Sequence, residues 1–393
     1  MRRLLRRVFF HHQRGYRSLA FVVAGTVALG AYAIVDHIPD GSVPGWVLAA
    51  RARAVQTATR GQQTIARVRA ARGLPFNPGD RFRTGLIGVA SSPVTTDLGS
   101  IPSHRTASNP VFAAAVVQML WRAGVRPGSL VAVGMTGSYP GFDLDVYAAT
   151  EAMGAHPAVI SSVGASQYGA NEPSLTWPNM EEILFRDGVF HHRSVAVAAG
   201  GSLAGTTALV RRKLAENTGL PVLPVLPLPL DIKDRERLYA TKARDLNKRI
   251  AAFIDVGGAA ANVGSSSAEA IIPPGVSRPR WTRYQAGRLG VVGWMDQQRI
   301  PIVAMIDVGR LAHQFKIPWD PHLRPTARDI APPPPNPIGV VLALILLFAG
   351  VVAVHRIGFF RVPNWELPTG LRLGLRTPSE GTDVSSNIEG SEG

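Results

Sequence analysis

The sequence predicts an α/β domain, a mostly parallel sheet with helices on both faces, flanked by two transmembrane helices. Three observations lead there. Residues 18–35 (SLAFVVAGTVALGAYAIV) and 337–354 (PIGVVLALILLFAGVVAV) contain no charged side chain, and each run approaches the roughly 20 apolar residues that cross a bilayer as a helix. Between them, short runs rich in β-branched residues alternate with longer helical stretches, the pattern of parallel strands joined by crossover helices. Those strand runs are continuously apolar rather than alternating, as a sheet covered on both faces requires.

Residues 1–17 read as a basic cytoplasmic N-terminus carrying Arg2, Arg3, Arg6, Arg7, Arg14 and Arg17, ahead of a transmembrane helix at 18–38. A secretory signal peptide is the competing reading of this start. Tyr32, Ile34, Asp36 and His37 stand where a small-residue cleavage site would fall, so an uncleaved anchor is expected. Residues 39–83 read as a basic linker helix. Its stretch WVLAARARAVQTATRGQQTIARVRAAR is built from alanine and arginine and lacks any acidic residue, a helix-favouring composition with Gly61 as its weak point.

The extracytoplasmic α/β domain follows at 84–330. Strands are expected at 84–89, 130–134, 158–163, 194–199, 222–226, 251–256 and 301–306, with helices at 110–123, 143–153, 179–187, 204–217 and 232–248. Residues 331–337 (APPPPNP) form a stiff, extended proline-rich spacer. The second transmembrane helix occupies 338–357. A cytoplasmic tail at 358–393 ends in PSEGTDVSSNIEGSEG, a small, polar, acidic composition expected to be disordered.

Two spans put both termini on one side. Basic residues close to a span stay in the cytoplasm whereas long loops cross largely regardless of charge, so both termini are placed inside and the domain outside. The arginines at 51, 53, 60, 67, 69 and 72 run against this, because they follow the first span on its outer side. The formal net charge is +15 with a pI near 11.0. A lipid bilayer with anionic headgroups or a soluble polyanion suits such a charge. Nucleic acid is not an expected partner, since the domain faces away from it and carries no recognition motif. Cysteine is absent, no standard metal-ligand spacing occurs and no cofactor is implied.

Ligands of open parallel sheets bind at the carboxyl ends of the strands. Here those ends run into glycine- and serine-rich loops: GMTGSYPG with Gly137 and Ser138, SSVGASQYGAN with Ser161 and Ser162, AGGSLAGTT with Gly200 and Gly201, and GGAAANVGSSS with Gly257 and Gly258. Such loops leave backbone N–H groups for an anion, although glycine also serves tight turns for steric reasons alone. None matches a P-loop or a G-x-G-x-x-G fingerprint.

Ser138 lies on a glycine-flanked turn resembling a nucleophile elbow without its G-x-S-x-G spacing; with His104 as base and Asp143 as orienter it would form a hydrolytic triad. Helix capping is the plainer role for that serine. The polar segment 91–110 (SSPVTTDLGSIPSHRTASNP) reads as a long loop, which in a compact domain is usually functional or disordered. It offers Asp97, Arg105 and Asn109 as ligand contacts. Arg105 could clamp a carboxylate bidentately, and Asn109–Pro110 would open the next helix.

The runs TTDLGSIPSHRTASNPVFAA (95–114), VAVGMTGSYPGFDLDVYAA (131–149) and VISSVGASQYGANEPSLTWPNMEEIL (159–184) resemble the poly-gamma-glutamate system protein family, as do HHRSVAVAAGGSLAG and FIDVGGAAANVG. The likeness covers most of 84–310. It implies a bacterial accessory protein of poly-γ-glutamate synthesis or export, working beside other membrane proteins of that system; it brings no catalytic residues with it. A basic domain at the outer membrane face would attract this polyanion, and salt would screen the attraction over about 8–10 Å. Two functions stay open: binding of the polymer or its synthesis machinery, and hydrolysis or transfer of the γ-glutamyl chain through Ser138.

Overall fold

The computed structural model describes residues 25–27, 29–30, 43–201, 206–264, 270–278, 281, 288–330 and 337–356. The expected N-terminal segment 1–17, the proline spacer up to 336 and the tail at 358–393 lie outside the described residues. The chain divides into two compact units, Asp40–Pro334 and the pair Met1–Pro39 with Pro335–Gly393.

In chain order the larger unit holds α1 (Gly45–Ala71), β1 (Thr95–Asp97), α2 (Ile101–Ala107), α3 (Phe112–Ala123), β2 (Leu130–Met135), α4 (Pro140–Ala152) and β3 (His156–Ser162). The short strands β4 (Ala165–Ser166), β5 (Asn171–Glu172) and β6 (Leu175–Thr176) precede α5 (Trp177–Arg186). Then come β7 (Ala196–Ala198), α6 (Thr206–Glu216), α7 (Leu228–Asp245), β8 (Ile250–Val256), α8 (Ala260–Val263), β9 (Gly275–Ser277), α9 (Gly290–Gln297), β10 (Ile302–Met305) and α10 (Val308–Gln314).

The main sheet has the order β7-β3-β2-β8-β10-β9. Its neighbours are parallel except β9, which runs antiparallel to β10 along the edge. The α/β class and the mostly parallel sheet are thus as the sequence predicts. Successive side chains of a strand point to opposite faces, and both faces are apolar here. Val131, Val133 and Met135 join one core with α1, α3 and α4 residues, while Leu130 and Ala132 join a second with Tyr239, Val291 and Met295. The chain lays β2, then β3 and β7 outward on one side, and returns to lay β8 and β10 on the other. The order therefore reverses between β2 and β8, and crevices open at such a reversal beyond the carboxyl ends of the strands.

Helix α1 belongs to this core. Val47, Ala50, Ala54, Val55, Ala58 and Ile65 are buried along one stripe, and the helix packs on α3 and α4. It runs unbroken through Gly61, whose lack of a Cβ lets α1 approach α4: a Cβ there would lie 3.3 Å from Leu144 Cδ2 and closer still to Cδ1. Burying one Val or Ile is worth about 1.5–3 kcal/mol, against about 0–1 kcal/mol for a surface ion pair, so the apolar stripe docks the helix. Its arginines then serve as fasteners. Arg53 donates to Ala152 O at the end of α4 (2.9 Å), Arg60 to Gly188 O (2.8 Å) and Arg72 to Ser174 O (3.0 Å). Arg69 is ion-paired with Glu172 and fully buried.

Three expectations change. Residues 84–89 form an extended segment but no strand: among the described residues their backbone pairing is limited to Tyr168, which accepts from Gly88 N–H and donates to Val89 O (3.0 Å each). The Asn171 side chain holds Val89 as well, accepting from its N–H (2.9 Å) and donating to its O (2.7 Å). Residues 222–226 make a single parallel bridge, Val222 to Val197, because Pro221, Pro224 and Pro227 cannot donate to a ladder. The expected loop 91–110 folds into β1 and α2, the latter capped by the Ser100 hydroxyl accepting from Ser103 N–H. Asn109 turns the chain into α3 through its side chain, which accepts from Val111 N–H at 3.0 Å.

In the smaller unit a twenty-residue helix, α11, covers Pro337–Arg356. A Cβ at Gly350 would stand 2.9 Å from Val27 Cγ1, so the two apolar runs touch where glycine allows it. Among the described residues, no helix is long and apolar enough to cross a membrane. The side chains at both ends of α11 and most of the first run lie outside those residues.

Candidate functional site

A cleft of about 380 Å³ opens at the carboxyl edge of the sheet, where the strand order reverses. Its floor comes from the ends of the strands: Thr136 and Ser138 after β2, Ser162 closing β3, Ala198–Gly201 after β7 and Gly257–Ala261 after β8. Thr96 and Asp97 of β1 form one wall. Leu223–Leu226 and the start of α7, with Leu228, Asp231 and Arg235, form another. The glycine pairs Gly200–Gly201 (φ +71° and +66°) and Gly257–Gly258 (φ +78° and +67°) turn with positive φ, a region that side chains with a Cβ rarely enter. Gly257 is further constrained by Thr136 Oγ1, which a Cβ would strike. Among the described residues, the N–H groups of Gly200, Gly201 and Gly258 donate to no carbonyl.

Of the residues singled out from sequence, Asp97, Ser138, Ser162, Gly200, Gly201, Gly257 and Gly258 line this cleft. Gly137, Ser161, His104, Arg105, Asn109 and Asp143 do not. Gly137 is taken up by the crossing loop, donating its N–H to Gly164 O at 3.0 Å. Arg105 grips Asp320 with Nε and Nη2 at 2.5 and 2.7 Å. Its fork is thus filled by a carboxylate of the same chain, and each group holds the other charged: the Arg105 pKa is raised and that of Asp320 lowered, each first by their shared hydrogen bond.

The expected triad is not assembled. The His104 ring faces the backbone carbonyl of Ser138 at 2.9 Å and that of Ser100 at 2.8 Å, while the Ser138 hydroxyl accepts from Ser166 N–H at 3.1 Å. A neutral imidazole has one N–H, so donating to both carbonyls requires the cation. Burial opposes that cation and pushes the His104 pKa down, the two carbonyl bonds pulling the other way. The Ser166 hydroxyl, 3.3 Å from Nε2, can supply the second hydrogen bond to a neutral ring. His104, stacked on Tyr139 with centroids 4.9 Å apart, ties α2 to the turn after β2.

Asp143 lies in the first turn of α4 and has Glu181 and Asp145 as its charged neighbours. It is wholly buried, and among the described residues neither of its oxygens has a hydrogen-bond partner; the same holds for Asp145. Burial raises the Asp143 pKa well above the ordinary carboxylate range, and Glu181 and Asp145 add repulsion. Glu181 accepts from the Tyr147 hydroxyl and from Ser194 N–H, and Ser194 donates to Ser161 Oγ at 3.0 Å. Ser161 therefore serves this buried polar cluster instead of the cleft. His191 and His192 both pair with Glu151, at 2.9 and 3.0 Å. Among the described residues no group of His, Asp or Glu could hold a metal ion.

Sequence reasoning missed Arg235. Only 3 % of it is exposed, and its Nε donates to Asp231 Oδ1 at 3.0 Å. The i,i+4 spacing of Asp231 and Arg235 reads as an ordinary solvated helix pair, so nothing local marks it as a cleft residue. Among the described residues the cleft lining offers one fixed guanidinium, two carboxylates and backbone N–H groups, without a base on its serine. Comparison with protein-family models, with curated proteins and with solved structures returns no match.

Proposed function

We propose that the chain is a two-pass protein of the bacterial cell membrane whose extracytoplasmic α/β unit binds poly-γ-glutamate as an accessory of its synthesis or export. The observation that carries the binding part is the cleft at the strand-order reversal, a place where open α/β sheets hold ligands. Its glycine loops and Arg235 suit carboxylates, which the polymer carries on every residue. The uncharged runs 18–35 and 337–354 support the anchoring, and the resemblance of 84–310 to the poly-gamma-glutamate system family supports the ligand.

The arginines of α1 are a poorer polymer track than their number suggests, because Arg53, Arg60, Arg69 and Arg72 already hold internal partners. A hydrolase or transferase reading needs an activated Ser138, whose hydroxyl has a backbone N–H where a base would stand. Size-exclusion chromatography of poly-γ-glutamate with the full chain in detergent micelles tests the proposal. Co-elution of polymer with protein, weakening with salt, is the expected result. An unchanged profile refutes binding, and polymer shifted to later elution would mean cleavage instead.

A further inference from the structure

A guanidinium this deeply buried needs a counter-charge on each open edge. Arg235 has one on its Nε edge only. Among the described residues its Nη1 and Nη2 make no hydrogen bond, and neither is sealed from solvent. Since Arg235 lines the cleft, that open edge is presented to whatever enters. Asp231, bonded to Nε, fixes the plane of the fork, so two parallel N–H groups are held ready without an ordering cost at binding. Their geometry fits a carboxylate or another oxyanion.

The rest of the lining narrows the class. Among the described residues the charged side chains that line the cleft are Arg235, Asp231 and Asp97, two carboxylates against one guanidinium, while Arg211 stands behind the lining with its Nε committed to Gly200 O at 2.9 Å. A ligand bearing only negative charge would be attracted by the fork and repelled by its surroundings. A ligand that also carries a cation would not. Asp97 can receive that cation: its Oδ1 accepts the neighbouring Leu98 N–H at 2.7 Å, and among the described residues Oδ2 has no hydrogen-bond partner.

We propose that the cleft is a receptor for a zwitterion of the amino-acid class, with its carboxylate on the Nη edge of Arg235 and its ammonium group on Asp97. This deepens the reading of the cleft as the ligand site. A free amino acid and the amino end of a γ-glutamyl chain present the same two groups, so both are candidate sources.

Titration calorimetry on the full chain in detergent micelles, with L-glutamate, γ-glutamylglutamate, glutarate and inorganic phosphate as probes, tests it. L-glutamate or the dipeptide should bind. Glutarate, which lacks the ammonium group, and phosphate should bind at least about tenfold more weakly, the loss of one charge-assisted contact. A dipeptide tighter than L-glutamate points to a chain end, and the reverse to the free amino acid. Asp97→Asn, at an exposed position, should weaken the zwitterions at least about tenfold while glutarate, relieved of one repelling carboxylate, binds no more weakly than before. Arg235→Gln should remove binding of all four, with its thermal melt reporting whether the fold survives. Glutarate or phosphate binding as tightly as the zwitterions, or an Asp97→Asn protein with unaltered affinity, overturns the proposal. If both small zwitterions are silent while the polymer still co-elutes, the zwitterion site falls and polymer binding stands.

Discussion

Asp143 and His104 tie stability to pH in opposite senses. The carboxyl of Asp143 is raised by burial, with Glu181 and Asp145 adding to it, so the folded chain holds a proton that the unfolded chain releases above the ordinary carboxylate range near 3.8. Its penalty grows as pH rises from there towards the elevated folded value. The pKa of His104 is lowered by burial; the unfolded chain takes up a proton below about 6.5 that the folded one refuses, and stability falls as pH drops through that window. Asp143→Asn keeps the shape and removes the charge. It should stabilise the protein at pH 8 by at least about 1 kcal/mol, the worth of one pKa unit, with a smaller gain at pH 5. Urea unfolding at the two pH values measures this, and an equal or negative change at pH 8 would show that the carboxylate has a counter-charge. Neither residue's role was legible in the sequence, where both suggested a triad, because which face of the sheet a side chain meets depends on elements far away along the chain. Ser161 and Ser162 illustrate it: adjacent in β3, one joins the buried cluster and the other the cleft.

At the scale of elements the parallel strands and their helices were legible, since a short, continuously apolar run between polar turns suits a strand covered on both faces better than it suits a helix. What escaped were elements whose pairing is not local. Residues 84–89 have a strand's composition but divide their hydrogen bonds among the Asp80 and Asn171 side chains and the Tyr168 backbone, so no continuous ladder forms. The antiparallel strand β9 is three residues of an edge. α1 was legible as a helix but not as a core helix, because arginines at 51, 53, 60, 67, 69 and 72 disguise its buried stripe. The closeness of its packing makes a test. Gly61→Val should push Leu144 away and cost about 1–3 kcal/mol by overpacking, seen as a lower urea midpoint. A midpoint equal to that of the unaltered protein would mean that α1 rides on the surface of α4.

For the whole molecule, the long reach of the α1 contacts has a consequence in time. Arg53 meets Ala152, Arg69 meets Glu172 and Arg60 meets Gly188, separations of 99, 103 and 128 residues. A ribosome adding about 5–20 residues per second exposes α1 for roughly 5–20 s before even the nearest of these partners exists. Nascent chains arrested before residue 150 should therefore leave α1 open to protease, and chains extended past 200 should protect it. Protection in the shorter chains would mean that the helix finds another surface first. The first segment of the domain to be made is thus held in place by residues made about a hundred positions later, and until they arrive its arginines have no fixed acceptors.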